Sequence, residues 1–239
     1  MSAGIQTAID QRPENHGMRG RFITFEGGEG TGKSTHAAML AQRLRTLGIG
    51  IVLTREPGGS PGAEIIRHVL LSGAAKALGP SAEAILFAAA RDDHIRTTIA
   101  PALASGRWVI CDRFIDSTRV YQGMVGNVDQ RLIKGLERVT VGEFRPDLTF
   151  VMDVPAEIGL ARATKRRGDA AADRFEGEAL EFHEKLREAF LYIGVSEPDR
   201  CMLIDASQVR AEVADRIWRV VEKRLDPATA PVALEDVAS

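Results

Sequence analysis

Five short apolar runs punctuate the chain, and longer stretches with apolar residues at helical spacing separate them. The runs are Phe22–Glu26, Gly50–Thr54, Trp108–Cys111, Leu148–Asp153 and Cys201–Ile204. They are rich in Val, Ile, Leu and Phe, the composition of strands covered on both faces. Between them Thr35–Leu47, Ala63–Leu71, Ser81–Ala104, Gln130–Val139 and Ala156–Arg166 follow a helical pattern, as do Glu178–Ile193 and Val209–Arg224. This alternation predicts an α/β protein with a five-stranded parallel sheet flanked by helices and with ligands at the carboxyl ends of the strands.

The first strand runs directly into Gly27-Gly28-Glu29-Gly30-Thr31-Gly32-Lys33-Ser34-Thr35. Gly27, Gly32, Lys33 and Ser34 satisfy G-x-x-x-x-G-K-[ST], and the strand before it and the Ala/Leu-rich helix after it supply the context that the motif needs. Glycines let successive backbone N–H groups turn toward one anion, and the helix N-terminus adds partial positive charge. The nine residues Gly27–Thr35 are therefore expected to cradle phosphates. Lys33 would reach the β- and γ-phosphates, and Ser34 would ligate Mg²⁺. This defines a P-loop NTPase fold.

Composition narrows the setting. With 239 residues, 44% of them hydrophobic and 27% charged, the chain suits one globular domain, or one with a small lid. A net charge of -2 argues against a general binder of nucleic acid or membrane surfaces. Cys111 and Cys201 form no CxxC pair and fit a reducing, cytoplasmic setting. No apolar run approaches the ~20 residues of a membrane span. Residues 1–20 read as a polar, flexible extension and 225–239 as a flexible tail, leaving 21–224 as the folded domain.

A P-loop alone names no reaction. No N-K-x-D guanine reader is present, and the third strand ends in Cys111-Asp112-Arg113 rather than in the Asp-Glu pair that sets a water for hydrolysis. Asp112 is placed to organise Mg²⁺, and Arg113 to clamp a second phosphate beside the first. In isolation the two residues also fit a local ion pair or a cap on the next helix. Phe87 and Arg91, four apart on one helical face, suit stacking a base and bonding its carbonyl edge, although a ring in that position is commonly core. Glu56 and Pro57 lie in a Pro/Gly loop after the second strand, which a plain strand–helix connection also explains. Ser117, Thr118, Tyr121 and Gln122 supply polar groups beyond Arg113, with Ser117 equally suited to capping a helix. The basic run Arg162–Arg167, then Gly168 and small residues as far as Arg174, reads as a mobile lid over about 162–176 or as a solvated helix end.

Together FEGGEGTGKST, REPGGSPGAE, FAAAR, CDRFIDSTRVYQG, RPDLTFVMDVP and ADRFE, in this order, resemble the thymidylate kinases of the bacterial kind with an arginine-rich lid. The resemblance covers Gly20 to about Arg224. It implies transfer of the γ-phosphate of ATP to dTMP, giving dTDP and ADP, with Mg²⁺, and a homodimer. It implies that Phe87 stacks on thymine, Arg91 bonds the O4 edge, Thr118 sits near N3 and Tyr121 crowds the 2′ position of the sugar. Arg113 would hold the acceptor phosphate, and Lys33, Arg113, Arg167 and Arg174 would carry the catalysis. The P-loop has Glu29 where many relatives supply an Arg, so the transition-state arginine falls to Arg166, Arg167 or Arg174. Gly58 and Gly59 follow Pro57 where some relatives place an Arg, leaving a phosphate contact unassigned. A kinase for a nucleoside or for another nucleotide, a P-loop ATPase switch and an inactive nucleotide-binding module are the competing readings.

Overall fold

A computed structural model describes residues 19–168 and 175–230. Five strands form one parallel sheet: β1 (Phe22–Glu26), β2 (Ile51–Arg55), β3 (Trp108–Asp112), β4 (Leu148–Asp153) and β5 (Cys201–Asp205), in the order β2-β3-β1-β4-β5. The chain crosses to opposite sides of β1 to reach β3 and β4. The carboxyl end of β1 is thus the switch point where a crevice opens.

Helices α1 (Lys33–Thr46) and α9 (Arg210–Leu225) cover one face of the sheet, and α3 (Pro80–His94) with α4 (Ala100–Ala104) lies on the other. The remaining helices are α2 (Pro61–Leu71), α5 (Ile115–Thr118), α6 (Gln130–Thr140), α7 (Ala156–Arg167) and α8 (Leu180–Ser196). Side chains alternate along each strand. Ile23 and Phe25 therefore pack with Ala37, Leu40, Leu44 and Ile217 on one face, while Phe22 packs with Ile99 and Phe114 on the other. Each such fully buried aliphatic or aromatic side chain contributes about 1.5–3 kcal/mol. The second face also holds a buried polar seam. Thr24 and Thr149 hydroxyls share a hydrogen bond of 2.8 Å, and Arg200 bonds Thr149 and both carboxylate oxygens of Asp116.

The three inner strands β1, β3 and β4 are covered on both faces over most of their length, but the two edge strands are not: in β2 Leu53 is 41% exposed, and in β5 only Cys201 and Ile204 are buried. The helix expected over Ser81–Ala104 is continuous, with one widened π turn at Ile95–Ile99 joining α3 to α4. After α5 a second π segment, Arg119–Val125, continues the chain as helix. After α9 a short turn at Pro227–Thr229 buries Pro227.

Candidate active site

The P-loop leaves β1 at Glu26 and enters α1 at Lys33. Gly30 has φ 65°, and a Cβ there would fall 1.9 Å from the Gly159 carbonyl oxygen on α7. Conversely, a Cβ on Gly159 would meet the Glu29 carbonyl oxygen at 2.4 Å. Two glycines thus bring the loop backbone against the helix that leads to the lid segment. Lys33 is buried, and its Nζ donates to the Gly28 carbonyl at 2.6 Å and to the Thr31 hydroxyl at 3.4 Å. Burial, then repulsion from Arg113, lowers its pKa to about 8 against the pull of Glu29 and Asp112.

The Ser34 hydroxyl donates to Asp112 Oδ2, and Asp112 Oδ1 is buried with no hydrogen-bond partner. A hydroxyl beside an unsatisfied carboxylate oxygen suits a hard, hydrated cation. Among the described residues no three His, Cys, Asp or Glu side chains gather around a metal site. Mg²⁺ does not require such a cage, since it takes one or two protein oxygens together with water and phosphate. The residues present therefore fit the ion.

Arg113 adopts φ 69°, its N–H donates to the Phe25 carbonyl at 2.9 Å, and its guanidinium turns back over the P-loop. Nη1 donates to Gly27 O at 3.1 Å and to Ser117 Oγ at 3.3 Å, and Nη2 pairs with Glu29 Oε1 at 2.5 Å. Burial alone would raise the Glu29 pKa, but Arg113 and Lys33 bring it down to about 2. Glu26 anchors the turn from beneath. Its Oε1 accepts the N–H groups of Phe114 and Ser117 at 2.8 and 3.2 Å, and its Oε2 accepts the Ser117 hydroxyl at 2.6 Å. The N-terminus of α5 is thus capped by a residue of β1, with Ser117 donating to the carboxylate. Burial, then the neighbouring Asp116, raises the Glu26 pKa to about 7.

A cleft of about 340 Å³ runs from Lys33, Ser34, Thr35 and Asp112 past Arg113 to Phe87, Arg91 and Thr118. Glu29, Gly30, Gly32, Glu56, Pro57, Ser117, Tyr121 and Gln122 also line it, whereas Gly27, Gly28 and Thr31 lie in the loop behind. Phe87 is half-buried on the wall near Phe175, with ring centroids 6.5 Å apart. Arg91 is buried, donating from Nη2 to Thr118 Oγ1 at 2.9 Å and to Phe114 O at 3.2 Å, and from Nε to Glu56 Oε2 at 2.8 Å. The Tyr121 hydroxyl donates to Glu29 Oε1 at 3.3 Å, its ring lies 5.3 Å from the Arg113 guanidinium carbon, and Phe175 packs edge-on at 5.0 Å.

At the end of α7, Arg166 and Arg167 both pair with Glu176, at 3.0 and 2.8 Å. Arg166 and Glu176 line the cleft; Arg167 does not. Arg174 falls outside the described residues.

Several cleft residues escaped the sequence reading. Arg67 on α2 lines the wall and donates to Pro57 O at 2.6 Å, ten residues back. Phe175 and Glu176, at the end of the lid expected over about 162–176, line the cleft as well. Glu26, behind the cleft, gave a signal that passed unused, a carboxylate closing the strand Phe22–Glu26. His94 gave one as well, three residues after Arg91 on the same helical face.

A parallel sheet with a P-loop at its switch point, and one cleft that joins the loop to a second, ring-and-guanidinium end, defines a P-loop nucleotide kinase. The thymidylate kinase family model matches residues 25–217. A thymidylate kinase from Rhodopseudomonas palustris is 58% identical over 224 residues, 93% of this chain and 97% of that protein. One from Bradyrhizobium diazoefficiens is 57% identical over 223 residues, covering 93% and 98%. A crystal structure of thymidylate kinase from Ehrlichia chaffeensis superposes with TM-score 0.68 at 32% identity, covering 85% of this chain and 99% of that one. The chain belongs to the thymidylate kinase family.

Proposed function

We propose that the cleft aligns ATP on the P-loop with dTMP at the Phe87 end, and that its own cations neutralise the transfer between them. The reaction is ATP-dependent phosphorylation of dTMP to dTDP, with ATP as cosubstrate. The observation that carries the arrangement is the continuity of the cleft, whose single wall includes Lys33, Arg113 and Arg91. Two anionic substrates repel each other, so a shared cation between them meets a physical need.

Lys33 exchanges the Gly28 carbonyl for the donor phosphates. Arg113 turns from Glu29 to the acceptor phosphate. Phe87 stacks on the base, and Arg91 donates to its O4 from the nitrogen that its protein bonds leave over. Thr118 sits near N3, Tyr121 and Glu29 flank the sugar, and Gln122, Ser117, Glu56 and Pro57 complete the acceptor wall. Ser34 and Asp112 hold Mg²⁺, which when bound supplies charge neutralisation at the phosphates. An arginine of the lid, within 162–176, closes over the transferring group; Arg166, Arg167 and Arg174 are the candidates. Transfer through a loose transition state then needs positioning and charge rather than a strong base.

The kinase domain is taken as 21–224, the assembly as a homodimer and the compartment as cytoplasmic. Support for the last two is family membership, and the free, buried Cys111 and Cys201 suit a reducing compartment. Among the described residues no helix is long and apolar enough to cross a membrane. The test is ADP release with ATP, Mg²⁺ and a panel of dTMP, dUMP, dCMP, dGMP, UMP, thymidine and no acceptor. Turnover mainly with dTMP is expected. Equal turnover with another monophosphate overturns the acceptor assignment, and turnover without acceptor overturns the kinase arrangement.

A further inference from the structure

The loop after β2 encloses a buried chain of polar groups that ends on Arg91. Thr54 Oγ1 lies 2.7 Å from His94 Nε2, His94 Nδ1 lies 3.1 Å from Glu56 Oε1, and Glu56 Oε2 lies 2.8 Å from Arg91 Nε. His94 is fully buried and Glu56 nearly so. A carboxylate only accepts hydrogen bonds, so Nδ1 carries the proton toward Glu56, while Nε2 meets a hydroxyl that serves as either donor or acceptor. Gly59, at φ 85°, closes the chain from above. A Cβ there would fall 2.4 Å from both His94 Nε2 and Thr54 Oγ1. The Pro/Gly loop therefore has a reason beyond joining strand to helix: it packs its backbone onto the imidazole.

The geometry fixes a plane. Nε and Nη2 form one edge of a guanidinium, and Glu56, Thr118 and Phe114 hold Arg91 along that edge. With Oε1 taken by His94, the Glu56 carboxylate cannot rotate without losing a buried hydrogen bond, which is costly. Nη1, which none of these three bonds uses, is the nitrogen left for substrate. A guanidinium only donates, so it accepts a pyrimidine with a 4-keto oxygen and opposes one with a 4-amino group, provided that its direction is fixed.

We infer that Glu56 and His94 are positioning residues that set the guanidinium plane of Arg91 and thereby the preference for a 4-keto over a 4-amino pyrimidine monophosphate. The inference rests on the reading of Arg91 as the group that meets the base. Glu56 also lines the acceptor wall, whereas His94 lies behind it. His94 acts through Glu56, and Glu56 acts through Arg91.

The experiment compares kcat and KM for dTMP, dCMP and ATP in the wild-type protein and in His94→Phe, His94→Asn, Thr54→Val and Arg91→Leu. His94→Phe keeps a ring but removes both hydrogen bonds. It is expected to raise the dTMP KM about tenfold and lower the dTMP:dCMP ratio of kcat/KM about tenfold, leaving the ATP KM within twofold. His94→Asn restores a donor toward Glu56 and is expected to recover most of the ratio. Thr54→Val, a change of similar volume at the far end of the chain, is expected to lower the ratio about threefold, and it supplies the readout if His94→Phe does not fold. An unchanged ratio in His94→Phe or Thr54→Val, with any loss falling equally on dTMP, dCMP and ATP, overturns the inference. If Arg91→Leu collapses the ratio in that case, the positioning role alone fails. If Arg91→Leu also leaves the ratio unchanged, the base-reading role of Arg91 fails and takes the inference with it.

Discussion

Arg113 and Glu29 face each other at 2.5 Å across the throat of the cleft, an arginine from the end of β3 against a carboxylate of the P-loop. The pairing holds Arg113 on the cleft wall, and on the proposed reading the acceptor phosphate competes with Glu29 for it. Arg113→Ala is expected to lower kcat/KM for dTMP by about 10²- to 10³-fold, the usual effect of removing one charge-stabilising donor. Steady-state kinetics, with thermal unfolding as the check on folding, measures it. A loss below about threefold in a folded variant would take Arg113 out of the phosphate contact.

Phe87 stands half-buried on the cleft wall rather than inside the core. Base–aromatic stacking is worth about 1–3 kcal/mol, so Phe87→Ala is expected to raise the dTMP KM by roughly 5- to 150-fold with a smaller change in the ATP KM. An unchanged KM in a folded variant would return the ring to a packing role.

Arg166 and Arg167 share Glu176, but only Arg166 lines the cleft. A transition-state arginine is typically worth about 10³- to 10⁵-fold in rate. Single alanine variants at 166, 167 and 174 are expected to give one variant whose kcat falls at least about 10³-fold while the ATP KM changes little. Three small and equal losses would show that the lid does not supply that charge.

Glu26 has its pKa raised from 4.5 to about 7, first by burial and then by Asp116. Between those values the folded protein holds a proton that the unfolded chain has released. The contribution of this group to stability therefore falls as pH rises from 4.5 toward 7, by at most about 1.4 kcal/mol per pH unit, and is flat beyond. Glu26→Gln removes the titration, so its stability relative to wild type should improve between pH 5 and pH 7. Urea unfolding of both proteins at the two pH values tests this; a difference that does not change with pH would contradict the raised pKa.

Much of this was legible in the sequence because its signals are local. The five apolar runs became the five strands, and the glycine motif stood between a strand and a helix. The spacing of Phe87 and Arg91 placed both on one cleft-lining face. What was hidden depends on contacts between distant elements. No local pattern announces that Glu26 caps α5 across 88 residues, or that Gly30 and Gly159 meet backbone to backbone. The edge position of β2 follows from strand order, which alternation alone leaves open. Arg67 looked like any polar residue of a surface helix until the Pro57 loop folded over it. His94 and Glu56 are 38 residues apart, so their hydrogen bond was invisible until α3 lay beside the loop.

The most direct test of the central claim, that the Phe87–Arg113 end of the cleft is the dTMP site, is calorimetric titration of dTMP into the protein without ATP. Binding of one dTMP per chain is expected, weakened at least about fivefold by Phe87→Ala and by Arg113→Ala and changed little by Lys33→Met at the donor end. Binding that ignores the first two changes, or that is lost with Lys33→Met alone, would place the acceptor elsewhere and contradict the arrangement.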